Sequence, residues 1–343
     1  MNRYTFPPLA CALTLAFHPA AAGPSIIPEQ RTALSEIVVT APQMSTPLTV
    51  VTDPKAPRQP VPAHDGADYL KTIPGFSVIR KGGADGDPVL RGMAGSRLNI
   101  TADGQTMLGG CNNRMDPPTA YIFPAEYDKI TVIKGPQTVL YGPVGSAGTV
   151  LFERSDYRMP PGLKANSSIM FGSYGRRDEV AGARYSLADM YLQADATRSH
   201  SDDYRDGSGA AVHSAYTRWS SRAAIGLTPD DDTLIELSVA KSDGRAAYAD
   251  RRMDGARFSR QNVGLKFEKR NISPLVEKVA VQIYRNYVDH VMDNYTLRTP
   301  PGDMYMASNP DRLTEGARAA VTLRLAEATQ LIAGVDMQRN RHT

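Results

Sequence analysis

The stretch LVEKVAVQIYRNYVDHVM, residues 275–292, decides the fold. The apolar residues Val279, Val281 and Ile283 alternate with the residues of a second, mixed face. This two-residue period is that of a β-strand whose two faces differ. The other face would carry Ala280, Gln282, Tyr284, Asn286, His290 and Met292. With an apolar face toward lipid, Tyr287 near an interface and a mixed face toward a lumen, the stretch predicts a strand of a membrane-spanning β-barrel.

The sequence around this stretch contains further candidate strands of the same kind. The candidate strands are 163–172, 177–187, 189–199, 215–227, 232–242, 256–269, 275–292, 312–325 and 328–340. Long polar loops at 200–214, 243–255 and 293–311 alternate with short turns. Short turns on one side and long loops on the other are typical of an outer-membrane barrel meander. A soluble β-sandwich can also show period two, but the loop asymmetry favours the barrel.

Composition excludes two other classes of protein. The 343 residues include 39 basic and 36 acidic side chains, so a formal net charge of +3 gives no bulk attraction for nucleic acid. No run reaches the roughly 18 apolar residues of a membrane helix. An alternating barrel strand is hydrophilic on average, so the mean hydropathy of −0.35 is compatible with a barrel.

The N-terminus predicts export. Residues 1–22 combine an apolar stretch, Leu9–Phe17, with the small residues Ala20–Ala22, which indicates a secretory signal peptide. The alternative is a buried N-terminal helix. Cleavage would remove Cys11 and leave Cys111 as the one cysteine, so no internal disulfide is expected.

Three regions follow the signal peptide. Residues 23–62 are rich in Pro, Thr and Ala and predict a flexible arm. Within it, the β-branched run Glu36-Ile37-Val38-Val39-Thr40-Ala41 suits an extended segment that adds to a partner's sheet, or else is a stray apolar patch in a linker. Residues 63–158 predict a small α/β domain with a short helix at Asp65–Ile73. Residues 159–343 hold the strands.

No catalytic arrangement is evident in the sequence. The glycine-rich stretches do not form a phosphate loop between a strand and a helix, and no nucleophile, base and orienting group occur in a recognisable pattern. We therefore expect a protein that is not an enzyme.

Taken together, the chain resembles the TonB-dependent outer-membrane receptors. The matching motifs are Glu36–Ala41 as the TonB box, Leu70-Lys71-Thr72-Ile73-Pro74-Gly75, Leu90-Arg91-Gly92-Met93, Asp103-Gly104, Ile130-Thr131-Val132-Ile133-Lys134-Gly135-Pro136 and Leu140-Tyr141-Gly142. The resemblance implies a plug domain inside a transmembrane β-barrel in the outer membrane of a Gram-negative bacterium. It implies outer-membrane lipid and the TonB energy-coupling complex as partners.

Within that family the chain is similar to the copper receptors of the OprC/NosA type. The segment Cys111-Asn112-Asn113-Arg114-Met115-Asp116-Pro117-Pro118-Thr119 and the pair His290-Val291-Met292 carry this similarity. It implies that Cys111, Met115, His290 and Met292 are the ligands of a transported copper ion, with no organic cofactor. Copper would bind between plug and barrel, and TonB would pull the plug to admit it to the periplasm.

The chemistry of these four residues agrees with copper. A thiolate, two thioethers and an imidazole are soft donors and select Cu(I), whereas Fe³⁺ prefers oxygen. Cys111 and Met115 would share one side of a helical turn, and His290 and Met292 would both face the lumen of a strand. Each pair alone is more often plug core or lumen lining. A receptor for a siderophore or other chelate, and a non-transporting export product, remain alternatives. The other histidines, among them His64 and His342, are expected at the surface.

Length sets one further expectation. A family barrel has roughly 22 strands, and residues 159–343 supply about nine. An open sheet in lipid leaves unpaired backbone groups, each costing several kcal/mol. The sequence therefore predicts the N-terminal part of a receptor, with a plug beside a curved, open sheet.

Overall fold

The computed structural model describes residues 44–46, 48–56, 58–136, 138–142, 145–155 and 158–343. The predicted signal peptide 1–22 and the predicted partner-binding segment 36–41 lie outside these residues. The described residues from 44 onward form a small mixed domain packed against one large antiparallel sheet.

The small domain is built on a six-stranded sheet of order β1-β2-β7-β8-β5-β6, with a separate β3–β4 hairpin. Its elements are β1 Met44–Thr46, β2 Thr49–Thr52, α1 Gly66–Leu70, β3 Phe76–Lys81, β4 Asp85–Leu90, β5 Leu98–Ala102, β6 Gln105–Thr106, β7 Lys129–Lys134 and β8 Gly148–Glu153. Three 3₁₀ turns lie at Gly95–Arg97, Pro118–Tyr121 and Pro124–Glu126. The parallel pair β5–β8 at its centre is buried on both faces.

Local sequence explains the short helix. The Asp65 carboxylate accepts a hydrogen bond from the Asp68 backbone N–H at 2.8 Å, which caps the first turn of α1. Pro74 and Gly75, the latter at φ 95°, end the helical segment because neither continues it. The helix predicted at Asp65–Ile73 is thus present but shorter, at Gly66–Leu70.

The large sheet has consecutive antiparallel strands. They are β9 Gly162–Phe171, β10 Arg177–Ser186, β11 Met190–Ser201, β14 Tyr216–Leu227, β15 Thr233–Ala246, β16 Asp254–Arg270, β17 Val276–Asp293, β19 Asp311–Ala326 and β20 Thr329–His342. Each predicted strand is present, with bounds within four residues of the prediction. The connections also carry a small hairpin, β12 Tyr204–Arg205 with β13 Ala211–Val212, and the short β18 Ala307–Ser308, which pairs with β17.

The two faces of this sheet differ as the alternation predicts. Leu237, Val239, Val263, Leu265 and Ile283 on the outward face are 44–53% exposed. On the other face of the central strands, residues such as Ser238, Ser242 and Asn286 are buried. The two faces therefore match a lipid-facing wall and a plug-facing wall.

The sheet is open among the described residues, as expected from its length. Strands β9 and β20 are its two edges, and each pairs with a single neighbour. No helix in the described part of the chain is both long and apolar enough to span a bilayer.

Candidate metal centre

The loop after β6 places Cys111 at the surface of the small domain that faces β17. The Asp116 carboxylate organises this loop: Oδ2 accepts a hydrogen bond from Gly110 N at 2.6 Å, and Oδ1 accepts one from Cys111 N at 2.8 Å. Glycine is required at 109, because a Cβ there would lie 1.8 Å from the Asp116 carbonyl oxygen. The loop is therefore fixed by one buried acidic residue.

The expected helical turn from Cys111 to Met115 is wrong. The segment forms a turn in which Arg114 N donates to Cys111 O at 3.0 Å and Arg114 has a left-handed φ of 53°. The Arg114 guanidinium binds the Asp87 carboxylate through two hydrogen bonds of 2.7 Å, which stabilises this unusual backbone. Met115 is buried, and Cys111 packs against the same hydrophobic cluster.

Strand β17 supplies the other half. His290 and Met292, two residues apart on the inward face, are both buried, as predicted for lumen-facing positions. The His290 N–H donates to Pro310 O at 3.1 Å, and the ring packs on Phe258 with 4.6 Å between ring centroids. Neither ring nitrogen of His290 has a hydrogen-bond partner among the described residues.

The two halves meet. Ligand atoms of Cys111, Asp116 and His290 all lie within 4.8 Å of one another. Met115 and Met292 belong to one apolar cluster, which Cys111 contacts. A buried imidazole with two unpartnered nitrogens beside a thiol is costly unless something binds there, so the cluster has the composition of a metal site.

Asp116 is the residue that sequence reasoning missed. Its oxygens already accept three hydrogen bonds, the third from the Tyr121 hydroxyl at 2.7 Å. Burial, together with the neighbouring Asp116 carboxylate, raises the pKa of Tyr121 well above its ordinary value, so the phenol keeps its proton and donates. Asp116 lies next to Met115 in the predicted motif, but only the folded loop shows what its carboxylate contacts.

Two histidines that were expected at the surface make contacts between the small domain and the large sheet. His342 of β20 approaches the Gly110 carbonyl with Nε2 at 2.5 Å, one residue from Cys111. His64 is buried, its ring stacked on Tyr216 of β14 with 5.2 Å between centroids. The surface prediction is wrong for His64, because contacts between distant segments bury its ring. It is confirmed for His342, which stays exposed despite its contact with Gly110.

The loops beside the site are joined by one carboxylate. Asp254, fully buried, binds the Arg298 guanidinium and His213 Nε2, the latter at 2.9 Å, and accepts from Tyr248 N at 2.9 Å. Arg298 also donates to the Tyr248 carbonyl at 2.7 Å. The predicted loops 200–214, 243–255 and 293–311 therefore meet at Asp254.

Comparison with known proteins agrees with this architecture. Residues 42–149 match the TonB-dependent receptor plug domain. These residues carry the plug domain of the TonB-dependent receptors. The resemblance inferred from the sequence motifs is thus confirmed, and the small domain and large sheet correspond to the plug and to part of the barrel wall of such receptors.

Two solved structures of metal transporters are similar to this chain. The copper transporter OprC is 56% identical with a TM-score of 0.85, over 89% of this chain and 48% of that chain. The FrpB iron transporter from Neisseria meningitidis is 20% identical with a TM-score of 0.67, over 82% of this chain and 47% of its own, and shows the fold alone.

A similar curated protein is the iron-regulated outer membrane virulence protein of Vibrio cholerae. It is 25% identical over 52% of this chain and 29% of its own length. The chain spans about half the length of the solved structures and less of this curated relative.

Proposed function

We propose that the chain is part of an outer-membrane receptor that binds copper as Cu(I) and admits it to the periplasm in a TonB-dependent way. The observation that carries the proposal is the convergence of ligand atoms of Cys111, Asp116 and His290 within 4.8 Å of one another. Met115 and Met292 lie in the hydrophobic cluster against which Cys111 packs. The 56% identity to a copper transporter supports the same subtype. No covalent step is involved.

The donor set accounts for the choice of ion. Thiolate, thioether and imidazole ligands bind Cu(I) well, whereas Fe³⁺ prefers oxygen donors. A Cu(I) ion beside the Cys111 thiolate forms a neutral pair, which lowers the cost of burying either charge. Asp116, with three hydrogen bonds to its oxygens, orients the loop rather than binding the ion.

Energy coupling is proposed to use Glu36-Ile37-Val38-Val39-Thr40-Ala41. Its β-branched residues suit strand addition to the TonB protein, which binds through backbone hydrogen bonds. Pulling this segment would act on the plug, because the segment directly precedes it in the chain.

The test is metal binding by the purified full chain. Cu(I) affinity is measured by competition with a chromophoric chelator under reducing conditions, for wild type, Cys111→Ala and His290→Ala. Removing an outer partner of a ligand already costs 10–100-fold in affinity, so loss of either ligand is expected to cost at least about 100-fold. His200→Ala is the matched control, because His200 binds Thr217 at 2.8 Å and takes no part in the cluster.

Copper binding that survives both substitutions would overturn the proposal. It would favour a receptor for a siderophore or other chelate, in which Cys111 is packing. Cell fractionation addresses the third alternative: a soluble or degraded chain would indicate a non-transporting export product.

A further inference from the structure

A line of inward residues descends the barrel wall from the metal centre. Strands β15 and β16 pair in register, with Ser242 opposite Arg260 and Ser238 opposite Gly264, while Asn262 lies between these two levels. Phe258, at the upper end, pairs with His290 of β17. Eight residues separate Phe258 from Lys266, or roughly 27 Å at about 3.4 Å per residue.

Three cavities lie along this line, between plug and wall. The upper one, of about 20 Å³, is lined by Asp85, Tyr121, Ser242 and Phe258 among others. The middle one, also about 20 Å³, shares Tyr121 and Ser242 with the upper cavity. The lower one, about 330 Å³, shares Asp103, Gln105, Arg154, Arg222 and Ser238 with the middle one. The cavities therefore follow one another, separated only by shared side chains.

The upper cavity adjoins the donor cluster. Phe258 packs on the His290 ring, and the Tyr121 hydroxyl binds Asp116, so one layer of side chains separates the cavity from Cys111. This layer consists of two aromatic rings, whose rotation would join the two spaces.

Polar atoms without partners face this cavity. Both carboxylate oxygens of Asp85, which is 1% exposed, and the hydroxyl oxygen of Ser242, which is 5% exposed, lack a hydrogen-bond partner among the described residues. Buried polar atoms are normally satisfied, and a space of about 20 Å³ is large enough for one water or small ion. These atoms thus mark a place where water or an ion binds.

We propose that an ion leaving the Cys111–His290 cluster first meets the oxygens of Asp85 and Ser242 and then follows the seam of small polar side chains between plug and strands β15–β16 toward the lower cavity. This inference rests on the proposed function, whose cargo it follows. Below Ser242 the seam offers the polar side chains of Asn262, Gln105 and Ser238.

The donor chemistry suits transit. Oxygen ligands hold a soft ion weakly, and conduction needs sites weak enough to leave. Arg218, which lines the upper cavity and donates to the carbonyls of Ala84 and Ala120, places a positive charge near Asp85 and weakens cation binding further. The oxygens of Asp85 and Ser242 would therefore hold the ion only briefly and would not form a second storage site.

Cysteine accessibility tests the seam directly. In the full chain with Cys11→Ala and Cys111→Ala, Ser242→Cys and Ser238→Cys place a thiol of nearly the same size on the seam. Ag⁺, a soft monovalent ion like Cu(I), is added, and the remaining thiol is counted with a dye after denaturation. We expect loss of the thiol at both positions while the fold, checked by circular dichroism, is retained.

The control is Ala246→Cys, on the same face of β15 but packed in the hydrophobic cluster and fully buried. Its thiol is expected to survive the same exposure to Ag⁺. The proposed seam is contradicted if the thiols at positions 242 and 238 survive Ag⁺ as the thiol at 246 does. It is also contradicted if the thiol at 242 reacts and the thiol at 238 does not. Copper binding at Cys111 is measured separately in the chain that keeps its cysteine, so failure of the proposed function gives a different result from failure of the seam.

Discussion

Asp116 shows how one buried side chain can fix the loop that carries Cys111, a ligand of the proposed metal site. It lies with Cys111 and His290 inside a 4.8 Å group, yet all three of its hydrogen bonds go to loop and phenol donors. Carboxylate oxygen is also a hard ligand for a soft ion. Its effect on copper is therefore expected to act through the position of the Cys111 sulfur.

Two substitutions separate a positioning role from ligation. Asp116→Asn replaces an acceptor oxygen by an NH₂ group that faces a loop N–H, so Cu(I) affinity should fall about 10- to 100-fold. Tyr121→Phe frees a lone pair of Asp116 while loosening it, so a positioning role predicts a smaller fall. A rise in affinity for Tyr121→Phe, measured by the same chelator competition, would instead indicate that Asp116 is a ligand.

His64 makes the contact between plug and wall sensitive to pH. Burial lowers its pKa, an effect that neighbouring Asp65 opposes, and Nδ1 lies 3.3 Å from a nitrogen of Arg176 while Nε2 faces Gly83 O at 2.9 Å. The charged groups that act on it are Asp65, Arg176, Asp178 and Arg218. The neutral ring fits both contacts, whereas a second ring proton would face the guanidinium.

The resulting pH dependence has a definite sign. Because the folded pKa lies below the unfolded value of 6.5, the neutral ring contributes its full stability above that pH, and the contribution is lost as pH falls. The melting temperature in detergent should therefore drop between about pH 7.5 and about pH 5.5. His64→Gln, which retains a donor toward Gly83, should show a smaller drop; an equal drop would contradict this role.

At the scale of elements, the long strands were predictable and the loops were not. Alternation over ten or more residues specifies a strand and its inward face, which is why His290 and Met292 were assigned correctly to one face. The left-handed backbone of Arg114 depends on its ion pair with Asp87, which is distant in sequence. The position of the Asp116 carboxylate depends on the hydrogen bond from the Tyr121 hydroxyl, which forms only when the loop folds. The prediction of a flexible arm over 23–62 is wrong at its C-terminal end, because β1 and β2 lie there and β2 pairs with the distant β7.

The junction at Asp254 yields a prediction for the loops. Arg298→Ala removes the guanidinium that joins loop 293–311 to Asp254 and to the Tyr248 carbonyl. Limited proteolysis of the folded chain should then cut faster within 293–311. Arg257→Ala is the control, because its pair with Asp289 at 2.9 Å is largely exposed and lies within the strands. Equal cleavage of the two variants would show that Arg298 does not restrain the loop.

At the scale of the whole molecule, a buried ionic network joins plug and wall. Arg154 of the plug pairs with Glu126 at 2.7 Å and with Asp103, and lies 3.8 Å from Asp195 of β11. Burial would raise the pKa of Asp103, but Arg154 and Arg222 outweigh it and hold the pKa below its ordinary value. The network therefore holds its charges in place between the two bodies.

Removing the central cation should be costly. Arg154→Ala leaves the buried Glu126 carboxylate without its cation and is expected to lower the free energy of unfolding by about 3–5 kcal/mol, measured by urea denaturation in detergent. Lys55→Ala breaks the half-exposed pair with Asp128 and should cost about 0–1 kcal/mol. Losses of similar size for both variants would mean that the buried network adds no stability beyond a surface pair.

The division of the donors between two bodies has a mechanical consequence. Of the four proposed ligands, Cys111 and Met115 belong to the plug, whereas His290 and Met292 belong to the wall. An ion bound to both halves adds its binding free energy to their attachment, so a loaded molecule resists extraction of the plug more than an empty one. In the proposed receptor, bound copper would therefore cross-link the two bodies, and a pull on the N-terminal arm would have to break that link before the ion could move.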